Sequence, residues 1–144
     1  MVALCDIALQ KNSDLVTLSD ISKRQKISLA YLEQLFVKLR RADFVIASRG
    51  PGGGYKLGKS VHEISVSDVL VAVDESLNAL HIGAGAKGAV SGSKAQSFSN
   101  RLWEGLSAHV YVFLHQTRLS DVIENDLAPC PAVPDLISIV EPAD

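Results

Sequence analysis

The stretch Arg49-Gly50-Pro51-Gly52-Gly53-Gly54 constrains this chain more than any other. Four glycines and a proline in six residues exclude helix and regular strand and leave a tight, exposed turn. Phe44-Val45-Ile46-Ala47-Ser48 precedes it and Tyr55-Lys56-Leu57 follows it, both strand-like in their β-branched and aromatic content. The three pieces predict a β-hairpin with a glycine tip. Upstream, Leu29, Leu32, Leu35, Phe36 and Leu39 recur at three- and four-residue steps. They predict a helix from Leu29 to about Ala42 with that stripe inward, Ser28 as N-cap, and Tyr31, Glu33, Gln34, Lys38 and Arg41 on the other face. Before it, Thr17-Leu18-Ser19-Asp20 has the pattern of a capping box and opens a short helix, Leu18 to Lys26, with Leu18 and Ile21 inward. Helix, turn, helix and glycine-tipped hairpin make a winged helix-turn-helix: mainly α with a small β-hairpin.

The remaining segments extend this plan. Residues 2–10 predict a first helix, with Cys5 in its apolar stretch as a core residue. Ser65 or Ser67 caps a fourth helix carrying Val66, Val69, Leu70 and Val73. Residues 83–97 hold four Gly, four Ala and three Ser, so 77–98 is expected as a flexible loop. A long helix then runs from about Ser99 to Gln116. Its Leu102, Trp103, Leu106, Val110, Phe113 and Leu114 form an apolar stripe that needs a partner, and a two-fold dimer across it is the economical solution. Thr117 is expected to cap a last short helix ending at Ile123, and residues 126–144, rich in proline, are expected as a mobile tail. The domains are thus 1–76 for the winged helix, 77–98 for the loop, 99–125 for the dimerisation helix and its short successor, and 126–144 for the tail.

Charge divides along the same lines. Residues 1–60 carry ten Lys/Arg against five acids, a net +5, while residues 61–144 carry four against eleven, a net −7. A basic half joined to an acidic one implies that only the first meets a polyanion. On duplex DNA, the helix from Ser28 would lie in the major groove. Ser28, Tyr31, Glu33 and Gln34 would then meet base edges, Gln suiting adenine and Glu the cytosine amino group. Glu33 repels phosphate, which fits a specificity device as well as a solvated surface carboxylate. Arg49 at the glycine tip suits a narrow minor groove. Lys38, Arg40, Arg41, Gly50, Lys56 and Lys59 are the expected backbone contacts.

Other classes are set aside on stated grounds. With 47% hydrophobic and 21% charged residues the chain can bury a core, and no run of about 18 apolar residues proposes a membrane span. The opening Met1-Val2-Ala3-Leu4-Cys5-Asp6 has no basic leader and carries an acid at once, so a cytoplasmic protein is expected. Gly53-Gly54-Tyr55-Lys56-Leu57-Gly58-Lys59-Ser60 matches G-x-x-x-x-G-K-[ST] letter by letter. A working phosphate loop joins a buried parallel strand to a helix, whereas here a strand occupies the loop itself. His62, His81, His109 and His115 are scattered, and Cys5 and Cys130 are too few for a thiolate metal site. No enzyme is expected. A protein-interaction module using the 103–114 stripe is the alternative to a DNA reader.

The residues Ile27-Ser28-Leu29-Ala30-Tyr31-Leu32-Glu33-Gln34-Leu35-Phe36, Leu39-Arg40-Arg41-Ala42 and Arg49-Gly50-Pro51-Gly52-Gly53-Gly54-Tyr55 resemble the Rrf-type bacterial transcription regulators. Ile64-Ser65-Val66, Ala72-Val73-Asp74-Glu75-Ser76, Leu102-Trp103 and Thr117-Arg118-Leu119-Ser120-Asp121-Val122 extend the resemblance toward its iron–sulfur-regulating branch. It implies a homodimer on near-palindromic promoter DNA, joined along the long helix. It also implies that Ser28, Tyr31, Glu33 and Gln34 face bases and Arg49 the minor groove. Two departures stand out. Members of the family open with a basic segment ahead of the first helix, so the start is expected to be truncated. Cluster-binding members place three cysteines and a histidine before and at the start of the long helix, where this chain has about Ile82, Ser91, Ser97 and Asn100. No cofactor is therefore expected: relatives bind a [2Fe–2S] cluster, but the ligand cysteines are missing here. The signal would then come from elsewhere, for instance a partner protein.

Overall fold

The computed structural model describes residues 1–10, 15–74 and 92–127. In chain order these form α1 (Val2–Ala8), α2 (Leu18–Gln25), α3 (Leu29–Arg41), β1 (Val45–Ser48), β2 (Gly54–Leu57), α4 (Val66–Ala72), α5 (Lys94–Gln116) and α6 (Leu119–Ile123). The winged helix-turn-helix read from the sequence is present.

Each early helix starts where a hydroxyl meets a free amide. Thr17 Oγ1 accepts from the Asp20 amide at 3.1 Å, and α2 ends at Lys26 in the left-handed region with φ 54°. Two residues later Ser28 caps α3, its Oγ accepting from the Tyr31 amide at 3.4 Å. That short turn sets α3 across α2, and Ile21, Leu32, Phe36 and Leu39 close between them with 4% exposure or less. Leu4 and Ile7 of α1, Phe44, Val45, Ile64, Val69 and Leu119 complete one core. Cys5 packs against it half-buried rather than inside it, and burial pushes its thiol above the ordinary range.

The hairpin is antiparallel with Val45 opposite Leu57 and Ser48 opposite Gly54. Its tip turns through Gly50-Pro51-Gly52-Gly53, the Gly53 amide donating to the Gly50 carbonyl at 2.9 Å. Proline followed by a glycine at φ +72° is the order of a type II turn. Val16 adds a third rung, exchanging two backbone hydrogen bonds with Tyr55 at 2.8 and 2.9 Å. The Tyr55 ring meets the Phe36 ring edge-on at 4.9 Å between centroids. Wing and α3 are thus held in one frame.

Three expectations are corrected. Leu29 is 41% exposed: it is the first helical residue and projects beyond the end of the α2–α3 contact. The long helix begins at Lys94, capped by Ser93 Oγ on the Gln96 amide at 3.1 Å, so residues 94–98 belong to it and not to the expected loop. Of the two serines expected to cap α4, Ser65 does so. Thr117 closes α5 instead of opening α6: its backbone is extended (φ −78°, ψ 124°) and its hydroxyl donates to the Phe113 carbonyl at 2.6 Å. The loop up to residue 91 and the tail from 128 lie outside the described residues.

The end of α5 is tied to the winged helix. The Val66 amide donates to the Thr117 carbonyl, the Leu119 amide to that of Ile64, and the Ser120 amide to that of Val61, at 2.8–3.0 Å. Leu119 is fully buried in the core. The short helix after the rod therefore packs within the winged helix, and the C-terminal end of the rod is hydrogen-bonded to it.

Candidate nucleic-acid interface

Around α3, Leu32, Phe36 and Leu39 face the core, so residues 30, 34, 37 and 41 point furthest from it at about 100° per residue. Glu33 lies on one flank of this outer face, Tyr31 and Lys38 on the other. All of Ser28, Tyr31, Glu33, Gln34, Arg40 and Arg41 are exposed. Ser28 uses a lone pair as helix cap and keeps its hydroxyl hydrogen for an outside acceptor. Arg49 and Gly50 stand exposed at the wing tip, with Gly50 at φ +94°. A side chain would be strained there.

Sequence reasoning placed these residues on one surface but did not see how some are engaged. Tyr31, half exposed, lines an apolar groove of about 300 Å³ between α1, α3 and α4 with Leu35, Val69 and Val73. Lys38 Nζ pairs with Asp74 Oδ2 at 2.8 Å and donates to the Val73 carbonyl at 3.4 Å, so it is turned to the end of α4. Lys59 Nζ stands 4.8 Å from the centre of the Phe44 ring, at the base of the hairpin. Lys56, opposite Ile46, is exposed on the hairpin's outer side. Nothing in the sequence pattern announces these pairings, since Lys38 and Asp74 are distant along the chain.

A buried carboxylate went unread altogether. Asp6 is 5% exposed. It accepts from Arg24 Nη2 at 2.6 Å, Arg24 Nε at 3.1 Å and Gln25 Nε2 at 2.6 Å. The Arg24 guanidinium hydrogen-bonded to it holds its carboxyl below the usual carboxylate range. The triad fastens α1 to the end of α2, just ahead of the turn into α3. A second polar contact joins α4 to α5: Ser67 Oγ lies 3.3 Å from His115 Nδ1 and 3.2 Å from Ser65 Oγ.

No residue of α5 is buried. Leu102 is 64% exposed and Leu106 and Phe113 are each 44% exposed, while Trp103, Val110 and Leu114 are half-buried. The stripe expected at a dimer seam is thus left uncovered by this chain's described residues.

Comparison with known proteins decides the family. Residues 1–125 match the family described as "Rrf2: Iron-dependent Transcriptional regulator". The chain belongs to the Rrf2 family. It is 66% identical over 143 residues to the HTH-type transcriptional regulator IscR of Cereibacter sphaeroides, covering 98% of this chain and 92% of that protein. The IscR of Vibrio campbellii is 42% identical over 126 residues, covering 88% and 73%. Among solved structures, T. potens IscR superposes with a TM-score of 0.65 at 29% identity, covering 86% of this chain and 80% of that one. The cysteine regulator CymR of B. subtilis shares the fold, with a TM-score of 0.69 at 24% identity over 86% and 89% of the two chains. The resemblance carried by the α3 and wing residues is borne out: this is an Rrf2-type, IscR-like transcriptional regulator.

The donors at the described positions do not fit a thiolate-ligated iron–sulfur cluster. Of the four positions where cluster-binding members carry ligands, two fall among the described residues. They are Ser97 and Asn100, a hydroxyl and a carboxamide in the first two turns of α5, and neither is the soft anionic sulfur such clusters take. The chain's two cysteines are Cys5 and Cys130. Among the described residues no helix is long and apolar enough to cross a membrane.

Proposed function

We propose that this Rrf2 regulator binds specific duplex DNA as a homodimer, with no thiolate-held cluster in the loop before α5. The observation that carries the reading is the common frame of helix and wing. Tyr55 on Phe36 and the Val16 bridge hold the exposed face of α3 and the wing in one frame, which supports α3 in a major groove and the Arg49 tip in the adjoining minor groove. Gln34 and Glu33 read bases, with Ser28 and Tyr31 at the helix start. Arg40, Arg41, Gly50 and Lys56 hold phosphates. Lys59 and Lys38 join them only by leaving Phe44 and Asp74.

The dimer reading rests on α5. Its 23 residues make a rod about 35 Å long, anchored at its C-terminal end, with Leu102, Leu106 and Phe113 exposed among the described residues. A second rod packed two-fold along Leu102, Trp103, Leu106, Val110, Phe113 and Leu114 would bury the stripe and set two α3 helices for paired half-sites.

The test is selection of bound sequences from a random duplex pool. Arg49→Ala should weaken binding to every selected site, whereas Glu33→Ala should relax base preference with little loss of affinity. A Glu33→Ala protein that selects the wild-type sequences would refute the specificity role. Stoichiometric sulfide in freshly purified protein would refute the cluster-free reading.

A further inference from the structure

We infer that Val37 reads a thymine methyl group, making it a specificity-determining residue beyond the polar readers at the start of α3. The inference rests on the DNA-reading role proposed above. Val37 is 46% exposed and lies in the third turn of α3, on the outermost line of the helix with Ala30, Gln34 and Arg41. A β-branched side chain is a poor choice for an exposed helix position on conformational grounds alone, since it loses χ1 freedom and covers nothing. The neighbours on its surface are polar or charged: Glu33, Gln34, Arg40 and Arg41.

The major-groove edge of DNA offers one apolar feature, the C5-methyl of thymine, and small apolar side chains are its natural complement. Val37 stands three residues beyond Gln34, about 4.5 Å along the helix axis. That is a little more than the roughly 3.4 Å between successive bases of a strand. A helix lying along the groove with Gln34 on one base pair therefore brings Val37 to the neighbouring one. Arg41, a further turn on, passes out toward phosphate. The apolar side chain rejects the other bases at that position by leaving their polar edges without a partner.

The contact is tested by removing the methyl from the DNA and the side chain from the protein. In a duplex selected from the random pool, each thymine is replaced in turn by deoxyuridine, and affinity is measured for wild type and Val37→Ala. Alanine is the better helix former and the site is exposed, so the variant keeps its fold. At one or more thymines, uracil should weaken wild type about fourfold, the worth of one buried methyl-sized group, and weaken Val37→Ala less, because its shorter side chain covers less of the methyl. The inference is overturned if every thymine-to-uracil change affects both proteins alike while each still binds its selected duplex. Failure to select any duplex would overturn the DNA-reading role itself, and is told apart by the absence of specific binding in wild type.

Discussion

Replacing Asp6 by Asn isolates what fastens α1 to the helix-turn-helix. The substitution keeps size and shape but removes the charge. It also sets an NH2 donor among the three N–H groups that now converge on the carboxylate from Arg24 and Gln25. Breaking a fully buried ion pair costs about 3–5 kcal/mol. Here the Arg24 side chain is 43% exposed and the Asp6 side chain 3%, so the guanidinium can rehydrate and only the carboxylate side of the pair is dry. That lowers the expected loss to about 2 kcal/mol, in the range of hydrogen bonds to charged groups, or roughly 5–10 °C in Tm. The sign with pH follows from the depressed carboxyl pKa. The contribution is fully present above the unfolded value near 4 and is lost as pH falls through the lower folded value. Urea unfolding of both proteins, at one protomer concentration because assembly shifts apparent stability, should show the full gap at pH 7 and a closing gap below about pH 4. Other carboxylates titrate in both proteins and cancel. A gap below about 0.5 kcal/mol at pH 7, or one unchanged at pH 3, would refute the triad as a stabilising lock.

Three further changes test other joints. Gly54→Ala places a Cβ 2.8 Å from the Val16 carbonyl oxygen and 2.9 Å from its carbon. Backbone cannot swing aside, so thermal unfolding should show a loss of about 1–3 kcal/mol. Leu106→Asp puts a charge on the uncovered face of α5, where in the monomer it would be tolerated. Sedimentation velocity should therefore show a folded monomer, and a persisting dimer would mean that the subunits join elsewhere. Asp74→Asn releases Lys38 from an exposed pair worth about 0.2–1 kcal/mol. Binding to DNA should tighten, and the slope of log affinity against log salt should steepen by about 0.9 if the lysine reaches a phosphate.

Local chemistry made the reading unit legible. The glycine tip, the Thr17 and Ser28 caps and the Leu32–Phe36–Leu39 stripe each act within a few residues, and each stands where pattern put it. The errors came where a residue's role depends on what lies beyond its own element. Leu29 continues the stripe in number but hangs past the end of the contact. Lys94-Ala95-Gln96-Ser97 was absorbed into a Gly/Ala/Ser run, although Gly92 at φ +67° and the Ser93 cap mark the true start of α5. Thr117 looks like an N-cap by type, yet its carbonyl is claimed by the Val66 amide, which holds it extended.

Lys38 shows how such a long-range contact changes a functional reading. From sequence it is one more cation on a basic helix, interchangeable with Arg41. In the fold, Lys38, one turn before Arg41, is turned to Asp74 and the Val73 carbonyl at the end of α4. Asp74 sits at φ 61°, a conformation that Asp tolerates better than most residues. It lies two residues past the last residue of α4. In the proposed DNA complex a phosphate and Asp74 would compete for the same ammonium, so the charge that Lys38 would contribute is its gain on phosphate less its loss here. Counting basic residues therefore overstates the grip of this face.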